Sequence, residues 1–282
     1  MEYGEIEGKV IALANYIDGT IEGVDKAAIV TQALIYDMIR NEILKFEIKE
    51  AKFVIGQDLR KRLATIQNKI ESILGSKSYA IPIRHFLTDF DTIQDRTVNL
   101  FKSVKDLEIE VSELSPAKQV IYDQAKDALT KAVAAEYVEP VKKLIAQNVM
   151  QGRSITDTVR ILEKWDNGDL ASGRLAAGER TPNLQKYATQ MARDSAYSIQ
   201  RTTNNIFKER FGLTKFIYAG TLVKDSRPLC RHLVHLNRPI DINEMPPLIA
   251  AMPEGLYPNT TRENFTTVCG GYNCSHLAHM VS

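Results

Sequence analysis

Every cysteine of this chain, and every histidine except His85, lies at or beyond Cys230. They form two bunches: C-R-H-L-V-H from Cys230 to His235, and C-G-G-Y-N-C-S-H-L-A-H from Cys269 to His279. Thiolate and imidazole are the ligands that a four-coordinate zinc ion takes. The candidate ligands are Cys230, His232, Cys269, Cys274 and His276. The preferred set is Cys230 with His232 and Cys274 with His276. Cys269 is the substitute for His232, because a Cys-x-His spacing is tighter than the usual gap of about two to four residues. His235 and His279 are expected to stay off the metal. A competing reading makes the cysteines small buried apolar residues and the histidines surface or hydrogen-bonded groups. Gly270-Gly271 is expected to allow positive φ and a sharp turn into Cys274. It is not a phosphate loop, since no lysine and helix start follow it.

The elements that must position these groups differ along the chain. The composition is 44% hydrophobic, enough to build a core. Lys and Arg total 36 against 35 Asp and Glu, which argues against a chain that wraps nucleic acid by net charge. No apolar run is long enough to cross a membrane, and no secretory leader is visible. An odd number of cysteines in a long chain argues against a disulfide framework and for folding in a reducing cytoplasm.

The fold class expected is mainly α. A multi-helix region over 1–212 precedes a small, irregular Cys/His-rich α+β domain over 213–282, stapled by zinc. A sub-boundary is expected near 76–90 and a hinge loop over 167–182, around Gly168, Gly173 and Gly178. A helical segment is read from about Val24 to Leu74, broken near Gly56. Val30, Ala33, Leu34, Asp37 and Met38 mark its first part, and Leu59, Leu63, Ile66, Ile70 and Ile73 form one helical face in its second. Packing within its own bundle competes with a coiled-coil contact to another subunit. Ala80-Ile81-Pro82-Ile83 reads as a connector, and a helix follows from Asp91 or Thr92 to about Leu107. Ser115-Pro116 opens another helix. Pro140 restarts it, and Ser154 caps the next, with Asp157 as a short partner. Thr181-Pro182 opens the last long helix, which Gly212 should end. Lys215 to Gly220 and Thr221 to Val223 read as strands. Pro228, Pro239, Pro246, Pro247, Pro253 and Pro258 then exclude one continuous helix.

Two motifs carry a resemblance. Asp225-Ser226-Arg227-Pro228-Leu229-Cys230-Arg231-His232 and Cys269-Gly270-Gly271-Tyr272-Asn273-Cys274-Ser275-His276 resemble the end signature of bacteriophage minor head proteins, the phage Mu protein-F-like head morphogenesis family. Met191 to Tyr197, Asn204-Asn205 and the step from Ile145 through Gly152 to Ser154 resemble weaker family features. The resemblance spans roughly residues 140–282. It implies a low-copy, non-enzymatic structural protein of the virion, made in the host cytoplasm and placed in the capsid interior. Its partners would be the portal and other capsid proteins, in head assembly or DNA delivery, with oligomerisation open. Many relatives carry cysteine where this chain has His276, a replacement that zinc tolerates.

Other readings stay beside it. A metal-dependent nuclease or toxin-like effector would use the histidines with Asn273, but a His-Asn-His site needs a ββα unit for which little chain follows. A DNA-binding zinc module is disfavoured by the balanced charge of 215–282. Asp225 and Arg227 are read as a site for a partner or an ion, or as a local turn pair. Basic residues outnumber acidic ones from Val141 to Arg210, so Arg174 and Arg180 are candidates for sequence-independent phosphate contact with packaged DNA. A solvated helix face explains the same charges. Trp165 reads as a core or interface anchor.

Overall fold

The computed structural model describes residues 3–46, 48–49, 52–53, 58–104, 114–133, 137–166, 183–271 and 274–281. The protein is mainly helical, with a small antiparallel sheet near the chain end. The helices are α1 (Tyr3–Ile43), α2 (Asp58–Leu74), α3 (Lys77–Val104), α4 (Ser115–Asp127), α5 (Glu139–Met150), α6 (Ile155–Asp166) and α7 (Leu184–Phe211). A short hairpin, β1 (Ile48–Lys49) with β2 (Lys52–Phe53), separates α1 from α2. Beyond α7 come β3 (Lys215–Ala219), α8 (Pro228–His235), β4 (Ile240–Asp241), α9 (Met245–Ala251), α10 (Phe265–Val268) and β5 (Leu277–Val281).

Contacts divide the chain into two compact units that are not contiguous in sequence. One comprises 1–22, 86–125 and 190–282, and the other 23–85 and 126–189. The boundary expected at residue 212 therefore falls inside one unit. The physical reason is a shared core: Val98, Phe101, Leu114 and Phe207 bury with Phe216, Tyr218, Leu229, Cys230, Phe265, Cys274 and Met280 in one apolar cluster. The segment from Leu213 onward does not close its own core, as short segments seldom can. The other division point, between His85 and Phe86, lies within α3 and not in a connector.

Several helical expectations hold. In α2, Ile66 and Ile70 are fully buried and Leu59, Leu63 and Ile73 partly so. Asp157 N–H donates to Ser154 Oγ at 3.0 Å, and that hydroxyl donates to Asp157 Oδ2 at 2.8 Å. The aspartate is too short to reach the cap backbone and takes the hydroxyl instead. Pro140 stands in the first turn of α5. Gly212 closes α7 with φ +60°, whereas α7 starts at Leu184 with Asn183 as its cap (Lys186 N–H at 2.7 Å), and the expected opening pair Thr181-Pro182 lies outside the described residues.

Others are corrected. Pro82 sits inside α3. Its missing N–H costs one helical bond, but the same face buries Tyr79, Ile83, Phe86, Leu87 and Phe90, and that burial prevails. In α1 the inward residues are Val24, Ala28, Thr31, Ile35 and Ile39, while Val30 and Leu34, named from the sequence, are exposed, so the buried stripe lies one position away from them. Thr221 to Val223 is not a strand, and Val223 is exposed. Gly56, the 167–182 hinge with Arg174 and Arg180, Asn273 and the Trp165 side chain lie outside what the structure describes.

The sheet runs β4-β3-β5, all antiparallel, with Phe216 opposite both Ile240 and Met280, and Tyr218 opposite Ala278. The far side of β5 meets side chains of α7. Arg201 Nη2 donates to the carbonyls of Cys274 (2.7 Å) and His276 (3.2 Å). Asn204 Nδ2 donates to the carbonyl of Ala278 (2.8 Å), and its Oδ1 accepts from Met280 N–H (2.9 Å). One helix face thus satisfies backbone groups of alternate residues from Cys274 to Met280, where a fourth strand would otherwise be needed.

Candidate metal centre

Cys230 enters the site from the first turn of α8. Arg227 precedes that helix in an extended conformation with Pro228 at its start, which suits proline's fixed φ and missing donor. The turn before it is tied by Arg231, whose guanidinium donates to the carbonyls of Ser226 (2.9 Å), Val223 (2.8 Å) and Lys224 (2.6 Å). Asp225 is exposed in that turn, and Arg227 lies across Gly255, so neither points into the cysteine cluster. Cys274 and His276 lie on the approach to β5, anchored by Arg201 through their carbonyls.

These two segments converge. The ligand atoms of Cys230, Cys274 and His276 all lie within 4.8 Å of one another, and all three residues are buried. Cys274 Sγ is 3.5 Å from His276 Nδ1. The Tyr218 hydroxyl is 3.3 Å from Cys230 Sγ and 3.7 Å from Cys274 Sγ, and its ring stacks on His276 at 5.4 Å between centroids. This group of two thiols and an imidazole could hold a metal ion.

Backbone without side chains makes the space. A Cβ on Gly270 would lie 2.4 Å from Cys230 Sγ and 2.9 Å from Cys274 Sγ. A Cβ on Gly220, just past β3, would lie 2.9 Å from the Ser275 carbonyl and 3.0 Å from His276. The turn into the site is tight, as expected, with Gly271 N–H bonded to the Val268 carbonyl at 3.0 Å. Its left-handed residues are Cys269 (φ +46°) and Gly271 (φ +86°), not Gly270. A side chain at that φ costs about 1–2 kcal/mol.

Not every candidate ligand arrives. His232 is exposed on α8. Two residues after Cys230 on a helix, it is turned about 200° away, since successive residues step by about 100°. Cys269 is fully buried but outside the three-residue group, and its thiol donates to the Thr266 carbonyl at 3.7 Å. His235 is also exposed. His279 is fully buried on β5, 4.3 Å from the Phe101 ring centroid, and neither ring nitrogen makes a hydrogen bond among the described residues.

The electrostatics follow from burial. The hydrogen bond between Cys230 and Cys274 pushes the first thiol up and the second down, and His276 and Arg201 lower Cys274 further against the opposing effect of burial. Burial raises Cys269 to about 11, partly offset by Arg201. Burial disfavours the charge of Arg201, but the neighbouring Cys269 and Cys274 more than restore it. Burial alone lowers His279 to about 3. Tyr218 is raised well above its usual value by burial, then by the cysteines.

Sequence reasoning gave no place at the site to Tyr218, Arg201 or Asn204. Tyr218 looked like an ordinary strand aromatic. Arg201 and Asn204 stand among many polar residues of α7, so their i, i+3 spacing alone does not single them out. No protein-family model, curated protein or solved structure matches the chain.

Proposed function

We propose that this chain is a bacteriophage minor head protein of the phage Mu protein-F-like kind, a non-enzymatic component of the capsid interior associated with the portal. One observation carries the reading: residues of both resemblance motifs, Cys230 from the first and Cys274 with His276 from the second, meet in one buried cluster. The cluster is read as a structural zinc staple joining α8 to the approach of β5. A catalytic zinc needs a position open to substrate. Cys230, Cys274 and His276 are only 1%, 4% and 5% exposed, which favours a staple over a nuclease centre. The portal and neighbouring capsid proteins would be the partners, with packaged DNA contacted without sequence preference.

Two measurements test this. Elemental analysis of freshly reduced protein should give one zinc per chain, lost in Cys274→Ser. The protein should also co-purify with empty heads assembled in the host. Its absence from assembled particles, or a metal-free reduced protein, would overturn the corresponding half of the proposal. Cleavage of plasmid DNA by the purified protein, abolished by chelator, would replace it with the nuclease reading.

A further inference from the structure

We propose that the Tyr218 hydroxyl is the fourth donor of the metal site, giving a centre of two thiolates, one imidazole and one phenolate. This rests on the metal-staple reading above and names the ligand that sequence left open between His232 and Cys269.

Zinc bonds of about 2.3 Å to sulfur and about 2.0–2.2 Å to nitrogen or oxygen define a tetrahedron. Its sulfur–nitrogen and sulfur–oxygen edges come to about 3.5–3.6 Å. The Cys274 Sγ to His276 Nδ1 edge is 3.5 Å, and the Tyr218 oxygen lies 3.3 and 3.7 Å from the two sulfurs. The hydroxyl thus stands at tetrahedral distance from both thiols at once. Neither expected alternative does: His232 is exposed, and Cys269 lies outside the group with its thiol turned to the Thr266 carbonyl.

Charge agrees with geometry. Two thiolates and one phenolate around a divalent ion, with neutral imidazole, leave one negative charge. The guanidinium of Arg201 is 7% exposed and bonded to the carbonyls of Cys274 and His276. It makes no ion pair with a carboxylate among the described residues. It supplies the one positive charge that a buried anionic centre requires. On binding, the Tyr218 proton and any remaining thiol proton pass to solvent, and oxygen and sulfur lone pairs are donated to the ion. No oxidation occurs.

The test titrates zinc, and separately cobalt(II), into the reduced full-length chain and into Tyr218→Phe, which keeps the ring and its packing. The ultraviolet difference spectrum should show one tyrosine becoming tyrosinate per ion in the wild type and none in the variant. Wild type should also release about one more proton per ion than the variant near pH 7. Thiolate-to-cobalt absorption should persist in both. Metal binding with thiolate absorption but no tyrosinate signal, and equal proton release, overturns the fourth-ligand assignment while leaving the staple intact. Failure of the wild type to bind either ion overturns both.

Discussion

His279 gives the sharpest prediction about stability. Its imidazole is fully buried against Phe101, and burial lowers it from 6.5 to about 3. A histidine depressed in the folded state is neutral there but binds a proton once unfolded. The unfolded chain therefore takes up more protons below pH 6.5, and stability rises with pH across that window. The contribution is complete above the unfolded value and is lost as pH falls from 6.5 toward 3. At pH 5 the unfolded form is protonated about thirtyfold over neutral while the folded form stays neutral, a loss of about 2 kcal/mol. The perturbation is acidification of wild type and of His279→Leu, which removes the titrating group and keeps an apolar side chain. The assay is denaturant unfolding at pH 7 and pH 5. Wild type should lose about 2 kcal/mol more than the variant between the two conditions. Both proteins share the acid sensitivity of any metal site, so the double difference isolates His279. Equal pH dependence in the two proteins would refute the reasoning.

Three further substitutions test other parts of the structure. Gly270→Ala should drive a methyl into both sulfurs; zinc affinity, read by chelator competition, should fall about 10- to 100-fold, the range for displaced supporting groups at metal sites, and unchanged affinity would contradict the geometry. Asn204→Ala should strand the Ala278 carbonyl and the Met280 amide, costing about 2–4 kcal/mol in denaturant unfolding; amide exchange at Met280 should speed up, and unaltered protection there would count against the side-chain edge. Ser154→Ala should cost about 1 kcal/mol by removing the cap of α6; a thermal midpoint indistinguishable from wild type would show that the cap is redundant.

What could be read from sequence was what local chemistry controls. Ser154, Pro140 and Gly212 mark helix boundaries because each acts on the backbone within one turn. Cys230, Cys274 and His276 announced themselves by residue type, and the fold brings them together. Pro82 shows the limit of that logic: its local cost was visible, but the burial of Tyr79, Phe86 and Phe90 that outweighs it depends on distant partners. The buried stripe of α1 has a similar origin. Val30 and Leu34 share helical periodicity with Thr31 and Ile35, and only the surrounding elements choose between the two stripes. His232 lies exposed outside the cluster, because spacing along the chain says nothing of direction until the helix around Cys230 is known. Tyr218 could not be singled out, since a strand tyrosine gains its role only when Gly270 lets two sulfurs approach its hydroxyl.

The pairing of Arg201 and Asn204 with the outer side of β5 bears on how copies of this protein behave when concentrated. A bare strand edge is a template for another chain, and crowding turns it into a route to cross-β aggregates. Here that margin is already occupied by α7, and β4 on the opposite margin is only two residues long. On the β5 flank the backbone groups of Cys274, His276, Ala278 and Met280 are already taken, so extending the sheet there would first have to displace Arg201 and Asn204.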